Sequence, residues 1–180
     1  MNKRSTLIVG ETQYGSHETL QVSRGWNDEI ARELVEVSRQ PHIRATTPRD
    51  ASERFVNLES AHAWFENSRK QPIVYTMRLG ELGNALSGLI WFSRQNHPDA
   101  HGFAYTSGFR LYEGAVGRGL ARPFAEIAHN DFSDINPQDG VWLETNADNT
   151  PAVKLYGRLG YETVAERAGR LIMTWRPDER

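Results

Sequence analysis

The sequence predicts an α/β (α+β) fold in which a mixed, mostly antiparallel central sheet is flanked by helices. Two helical segments come first, a meander of strands follows, and then strands and helices alternate before a closing hairpin. Short turns join antiparallel strands, whereas a strand–helix–strand unit makes parallel neighbours, so this order predicts a mixed sheet. The 180 residues, 38% of them hydrophobic, suffice for one core, and we expect a single domain over residues 1–180.

The N-terminal third is predicted to hold one strand and two helices. Residues 7–11 are the first strand. Asn27 is predicted to cap a helix that runs to Arg39, because apolar residues recur there on one face and asparagine accepts hydrogen bonds from first-turn amides. Pro41 is predicted to stop this helix, and Ser60 to cap the second one.

The middle of the chain is predicted to form three strands, at residues 73–79, 86–93 and 103–112. A turn over residues 80–84 joins the first two. The second run is apolar on both faces, as in a central strand. Gly108 interrupts the third run, and a glycine inside a strand pattern predicts a β-bulge.

The last third alternates between strands and helices. Proline is tolerated in a first helical turn, whose amides have no intrahelical partner, so Pro123 and Pro151 mark two helix starts. Gly160 stands where a helix-terminating glycine belongs. The predicted elements are a turn at residues 114–119, a helix from Leu120, a strand at 141–145, a helix capped by Asn149, and a hairpin of strands 161–166 and 170–175.

Composition excludes several classes of site. The chain has no cysteine, so disulfides, thiolate metal sites and a cysteine nucleophile are ruled out. Its six histidines show no metal-ligand spacing, and we expect no metal. A net charge of −2 argues against nucleic acid as a partner. Without a long apolar stretch we expect no membrane span and a cytoplasmic protein.

The first motif with chemical content is the turn Val116-Gly-Arg-Gly-Leu-Ala121. Glycines let the backbone approach a ligand, and the helix that follows offers unpaired amides and the positive end of its dipole. Such a turn can hold a pyrophosphate, with Arg118 and Arg122 adding charge-assisted contacts. It fits neither the P-loop nor the dinucleotide fingerprint. A tight turn that binds nothing stays open as an alternative.

The second motif is Leu143-Glu-Thr-Asn-Ala-Asp-Asn-Thr-Pro-Ala-Val-Lys-Leu-Tyr-Gly-Arg-Leu-Gly-Tyr161. It resembles the signature of the GNAT acetyltransferases: an acidic strand end, Asn-x-x-Ala, then Leu-Tyr-x-x-Leu-Gly-aromatic. The turn at Val116–Ala121 resembles the other motif of that family, and the two occur in the family's order. Val116 departs from the pattern, because the family usually has glutamine or arginine there. The resemblance is strong over residues 103–161 and weak before Ser60.

The resemblance implies that splayed strands form a cleft for acetyl-coenzyme A (acetyl-CoA), a cosubstrate used without a metal. The backbone of Phe109, Arg110 and Leu111 is expected to line the pantetheine arm and the thioester oxygen. Asn149 is expected to bond pantetheine or a water molecule, besides capping its helix. The pyrophosphate is assigned to Gly117, Arg118, Gly119, Leu120, Ala121 and Arg122.

The resemblance also implies two candidates for proton transfer. Tyr156 is the candidate general acid for the departing thiolate, because a phenol with a pKa near ~10 keeps its proton at neutral pH. Glu144 is the candidate base, since an amine that arrives protonated must lose a proton before it attacks. The alternatives, a core tyrosine and an exposed strand carboxylate, stay open.

The predicted function is therefore transfer of an acetyl group from acetyl-CoA to a primary amine, by direct attack in a ternary complex. The acceptor is a small molecule or a peptide amino group. A non-catalytic acyl-CoA-binding module is the main alternative, and a nucleotide-binding protein is a third class. The resemblance also allows a homodimer, although the sequence shows no interface stripe.

Overall fold

Eight strands form one sheet in the part of the chain that the structure, a computed structural model, describes: residues 6–15, 18–67, 70, 72–82 and 84–177. Their order is β1-β2-β3-β4-β5-β6-β8-β7. Only β5 and β6 pair in parallel among these strands. The strands are β1 (Leu7–Tyr14), β2 (Glu18–Arg24), β3 (Ile73–Leu79), β4 (Leu86–Arg94), β5 (Tyr105–Leu111), β6 (Val141–Asn146), β7 (Glu162–Arg167) and β8 (Arg170–Trp175). The predicted mixed, mostly antiparallel sheet is confirmed.

Helices cover both faces of this sheet. The first face carries α1, α3 and the apolar residues around Trp26 and Trp91. The second carries α4, which contributes Phe124, and α5, both over Tyr75 and Phe92. The helices are α1 (Asp28–Val37), α2 (Pro41–Thr46), α3 (Leu58–Phe65), α4 (Ala121–Ile135) and α5 (Thr150–Arg158), with a π-helical turn at Asp50–Arg54 and a 3₁₀ turn at Gly80–Leu82.

Strands β5 and β6 separate soon after they pair. Their register contains only Tyr105 opposite Val141 and Thr106 opposite Trp142. Beyond these pairs β5 keeps its neighbour β4 as far as Leu111, while β6 keeps β8 as far as Asn146. The sheet therefore opens into a V between two strands that each remain anchored on their outer side.

The helix caps confirm one prediction and correct two. Asn27 caps α1, and its Oδ1 accepts a hydrogen bond from the Ile30 amide at 2.8 Å. Ser60 is not a cap: Asn57 is, and Ser60 is the third residue of α3, where the two side chains satisfy each other's amides. Pro41 does not merely end a helix, because it opens α2, where a missing amide hydrogen is harmless.

The predicted bulge at Gly108 is wrong. The register of β4 and β5 is continuous, and Gly108 lies opposite Trp91. The physical reason for glycine is space: a Cβ atom there would lie 2.1 Å from Cζ2 of Trp91. The glycine makes room for the indole ring across the strand pair.

Strand β2 was missing from the predicted elements, and β1 is longer than residues 7–11. Leu20 and Val22 of β2 are fully buried and alternate with partly exposed neighbours, which is a half-buried strand pattern. The pattern was overlooked because only two apolar residues mark it. The predicted hairpin of β7 and β8 is confirmed, as is Gly160, whose φ of 89° terminates α5.

Candidate active site

A cavity of about 900 Å³ fills the V between β5 and β6. On one face of the sheet it is bordered by the turn before α4 and by α5. On the other face it is bordered by α2, the Asp50–Arg54 turn and Trp64 of α3. The space is continuous from face to face, so two molecules that enter from opposite sides can meet at the strand ends.

The backbone of β5 presents free amides to this cavity. The amide of Tyr112 bonds to Ser87 of β4, whereas the amide of Tyr105 bonds to Gly140 before β6. Because the hydrogen-bonding direction of the backbone alternates along a strand, the backbone N–H and C=O groups of Phe109 and Leu111 point away from β4 and into the V. Arg110 points its backbone at β4 instead, so of the three predicted backbone contacts only two face the cleft.

Two side chains lie within hydrogen-bonding distance of the backbone carbonyl oxygens at this open edge. Arg110 donates through Nη1 to the Phe109 oxygen at 2.8 Å, and Nε2 of His42 lies 3.1 Å from the Leu111 oxygen. The Phe109 and Leu111 amides are left as donors. Two neighbouring donors at the end of an open strand suit a developing negative charge on a carbonyl oxygen.

The turn before α4 is built for backbone contacts. Gly117 and Gly119 have φ angles of 77° and 75°, which side chains other than glycine rarely adopt, and both line the cavity. Leu120 precedes α4 as its cap and supplies no side-chain hydrogen bond, and the first turn holds no acidic residue. The Ala121 and Arg122 amides therefore remain available to an anion. Val116 lies in this turn and is 56% exposed.

The two arginines of this motif do not point their side chains into the cavity. Arg118 pairs with Glu18 at 3.0 Å, pairs also with Glu81, and lies over the Tyr14 ring. Arg122 pairs with Glu126 one helical turn on, at 2.7 Å. Neither residue is among those that line the cavity, so the phosphate contacts of Arg118 and Arg122 stay a prediction.

Tyr156 of α5 lines the cavity, as do Phe109 and Leu111 of β5. Its ring packs 5.6 Å from that of Tyr161, and no described residue bonds to its hydroxyl. Burial raises its pKa above the ordinary value, which the nearby Arg110 charge partly offsets. The phenol therefore stays protonated and has a free hydroxyl, as an acid requires.

Glu144 of β6 lies on the opposite wall, on the strand face that Trp142 and Asn146 share. It is exposed, and its Oε1 accepts from Nε of Arg170 at 2.7 Å. Asn149 also lines the cavity, and its Oδ1 accepts from the Ala152 amide at 3.3 Å as the cap of α5. The cap uses the side-chain oxygen of Asn149, and no described residue bonds to its amide nitrogen.

The architecture and site agree with one protein family. A family model described as an acetyltransferase (GNAT) domain matches residues 23–162. The chain belongs to the GNAT acetyltransferase family. No curated protein sequence matches it.

Solved structures of other GNAT proteins share the fold. The ribosomal-protein-S5-alanine acetyltransferase from Vibrio fischeri has a TM-score of 0.63 at 13% identity, over 94% of this chain and 98% of that one. The structure of yncA, a putative acetyltransferase from Salmonella typhimurium with its cofactor acetyl-CoA, has a TM-score of 0.66 at 14% identity. The match covers 99% of this chain and 96% of that one. Spermidine N-acetyltransferase from Vibrio cholerae, in complex with CoA and spermine, has a TM-score of 0.64 at 17% identity. The match covers 86% of this chain and 92% of that one.

Sequence reasoning missed the residues on the α2–α3 side of this GNAT cavity. Asp50 is 1% exposed and binds both Arg54 and Arg110, each at 2.7 Å. Both guanidinium groups also lie over the Trp91 ring, at 5.6 and 5.0 Å. The one available signal was an aspartate four residues before an arginine, which is too common to mark a site.

The described part of the chain has neither the residues of a metal site nor a membrane-spanning helix. It contains no cluster of three or more histidine and acidic residues with the geometry to hold a metal ion. It also has no helix with the length and apolar character that crossing a bilayer requires.

Proposed function

We propose that this GNAT protein is an N-acetyltransferase that moves the acetyl group of acetyl-CoA directly to a primary amine. The observation that carries the proposal is the continuous cavity, which joins the glycine turn and free β5 amides on one side to an open pocket on the other. Tyr156 and Glu144 line it between the two ends. Direct transfer needs this arrangement, because both substrates must be present at once.

The chain's own groups fit acetyl-CoA. The Gly117–Arg122 backbone would hold the pyrophosphate through amides that no side chain caps. The Phe109 and Leu111 amides would bind the pantetheine arm and the thioester oxygen. Asn149 would bond the pantetheine arm through its free amide nitrogen. Since the contacts in the turn come from the backbone, Val116 at the atypical position should not prevent binding.

Three groups would then handle the chemistry. Glu144, directly or through one water molecule, takes a proton from the incoming ammonium group so that the nitrogen lone pair can form the new C–N bond. The β5 amides stabilise the negative charge on the carbonyl oxygen, an effect typically worth a few kcal/mol. As the C–S bond breaks, the electron pair leaves with sulfur and Tyr156 gives it a proton. The nitrogen, which became positively charged when the C–N bond formed, loses its second proton, and this proton returns the Tyr156 phenolate to the phenol directly or through water.

The shape of the acceptor pocket narrows the class of amines that the protein would acetylate. The pocket on the α2–α3 side is a cavity, which suits a small molecule better than a folded protein surface. A solved GNAT neighbour is in complex with spermine, which is a small-molecule amine. We therefore propose a small amine as the acceptor, with a peptide amino group as the second candidate.

The test is turnover of Tyr156→Phe against a panel of amines, measured as CoA release and as acetylated product by mass spectrometry. Loss of the acid should lower kcat by about a hundredfold or more, while acetyl-CoA affinity is kept, since the phenyl ring preserves the packing. Tyr105→Phe is the matched control, because Tyr105 lies on β5 but outside the cavity and bonds to Asn136. Acetyl-CoA binding with no turnover of any amine would instead support the non-catalytic module.

A further inference from the structure

The cavity carries an excess of positive charge. Among the described residues that line it, four side chains are cationic and one is a carboxylate. With the buried Asp50 that pairs with Arg54 and Arg110 also counted, the described cations still exceed the carboxylates by two. The lining carboxylate, Glu144, is already paired with Arg170. The cations are Arg54, Lys70, Arg110 and Arg170. An amine that brings only positive charge would be repelled by this lining, whereas the anionic group of a ligand would be attracted to it.

Arg54 is the cation best prepared to bind such a group. Its Nη1 donates to Asp50 at 2.7 Å, and no other described residue accepts a hydrogen bond from its guanidinium. Asp50 is shared with Arg110, so its single negative charge is divided between two cations. The side chain of Arg54 is 30% exposed, and its remaining N–H donors are open to the cavity.

The position of Arg54 is fixed before any ligand arrives. Asp50 accepts a hydrogen bond from one end of the guanidinium, and the Cζ atom of Arg54 lies 5.6 Å from the centre of the Trp91 ring. The arginine fork matches a carboxylate in shape, and a preformed fork loses less conformational freedom on binding.

Arg54 is on the wrong side of the sheet to serve the cofactor. It belongs to the layer of α1–α3, which packs around Trp91, whereas the turn before α4 belongs to the layer on the opposite face. The cavity connects the two through the V. The ligand that reaches Arg54 is therefore the acceptor.

From these observations, and resting on the proposed function, we infer that the acceptor is a small amine that also bears a carboxylate, as an α-amino acid does. Arg54 binds the carboxylate, and Lys70, which also lines the cavity, adds long-range attraction. The amino group then faces the thioester, with Glu144 as its base. Polyamines are disfavoured acceptors, because their second cation would lie among Arg54, Arg110 and Lys70.

The first test uses the wild-type protein and matched acceptors. For each of several α-amino acids, kcat/KM is compared with that of its α-carboxamide and of its decarboxylated amine, with spermidine as the polycation. We expect the carboxylate form to be preferred by at least about tenfold, which is what one charge-assisted pair confers. Equal rates for the three forms, or preference for spermidine, would overturn the inference while leaving acetyl transfer intact.

The second test assigns the preference to Arg54. Arg54→Gln should reduce the preference for the carboxylate by about tenfold or more through KM, with the carboxamide rate and acetyl-CoA affinity unchanged. Arg54→Lys should restore part of it. Arg49→Gln is the control, because Arg49 pairs with Glu53 in the same segment and lies outside the cavity. A change in Arg54→Gln that affects all acceptors equally would assign Arg54 a structural role only.

A binding measurement separates failure of this inference from failure of the proposed function. Trp64 and Trp91 line the same pocket, so tryptophan fluorescence should respond when an amino acid, but not its carboxamide, is added to the CoA-bound protein. If the amino acid binds better than its carboxamide but no amine is acetylated, only the transferase proposal is overturned. If amines are acetylated with no difference between the amino acid and its carboxamide, only the inference about the carboxylate is overturned.

Discussion

The Glu144 carboxylate is held by Arg170 at 2.7 Å yet remains exposed enough to meet a substrate or a water molecule. In the proposed mechanism Glu144 is the base, so the reaction would not depend on the small fraction of free amine in solution. In Glu144→Gln we expect kcat/KM at neutral pH to fall by about a hundredfold or more. The rate should then rise with pH toward the pKa of the acceptor's amino group, because only the unprotonated amine can attack.

A pH–rate profile for wild type and Glu144→Gln measures this effect. Glu166→Gln is the matched control, because Glu166 is exposed on β7 and outside the cavity. If Glu144→Gln and wild type have the same profile, Glu144 is an exposed strand carboxylate and the base is another group or water.

His129 of α4 is a buried histidine that the cleft does not use. Its Nδ1 donates to the Ala125 oxygen at 2.8 Å, so its Nε2 must accept from the Tyr161 hydroxyl, also at 2.8 Å. Burial lowers its pKa to about 4, and the bond to Ala125 only partly opposes this. The ring is neutral in the folded protein at neutral pH.

This depressed pKa predicts loss of stability in acid. Between the unfolded pKa of about 6.5 and the folded pKa, only the unfolded chain binds the proton, so the free energy of unfolding falls as pH falls. The slope is about 1.4 kcal/mol per pH unit from this residue, and the total about 3 kcal/mol. Urea unfolding at pH 7, 5.5 and 4.5 measures it. The dependence should be smaller in His129→Gln, and an equal dependence in both proteins would contradict the assignment.

Strand β5 depends on the absence of a side chain at Gly108. A Cβ atom there would lie 2.1 Å from Trp91, and Trp91 also forms a wall of the cavity. We expect Gly108→Ala to lower the free energy of unfolding by about 1–3 kcal/mol through overpacking and to weaken acceptor binding, because the indole must move. Chemical denaturation and acceptor KM measure the two effects.

The control for this substitution is Gly157→Ala. Gly157 lies in α5, and a Cβ atom there would meet nothing within 4 Å. Alanine should raise the stability by up to about 1 kcal/mol, because glycine is disfavoured inside a helix. If both variants behaved alike, the close contact between Gly108 and Trp91 would not be what requires the glycine.

Elements with local signals were the ones predictable from the sequence. Asn27, Pro151 and Gly160 mark helix ends through contacts within a few residues, and the structure bears out all three. The role of Gly108 was misjudged because its reason, Trp91, lies on another strand. The contact of Asp50 with Arg110 spans 60 residues, so no local pattern announces it. The acceptor side of the cleft is made of such distant contacts.

The cleft itself is a property of the whole sheet. Its V exists because β5 and β6 pair over two residues and are then held apart by β4 and β8. The GNAT motifs predicted its cofactor side because they lie on the turn before α4 and on α5. They contain no residue of α2 or of the Asp50–Arg54 turn, which is why the acceptor side became apparent only in three dimensions.

Binding of acetyl-CoA is the central claim, and thermal unfolding with and without it tests that claim most directly. Ligand at about a hundredfold above its Kd should add roughly 2.7 kcal/mol, or about 5–10 °C in Tm for a chain of this size. ATP should produce no such shift. Acetyl-CoA should raise Tm clearly. No shift at saturating acetyl-CoA, or a larger shift with ATP and magnesium, would mean that the cleft does not bind this cosubstrate.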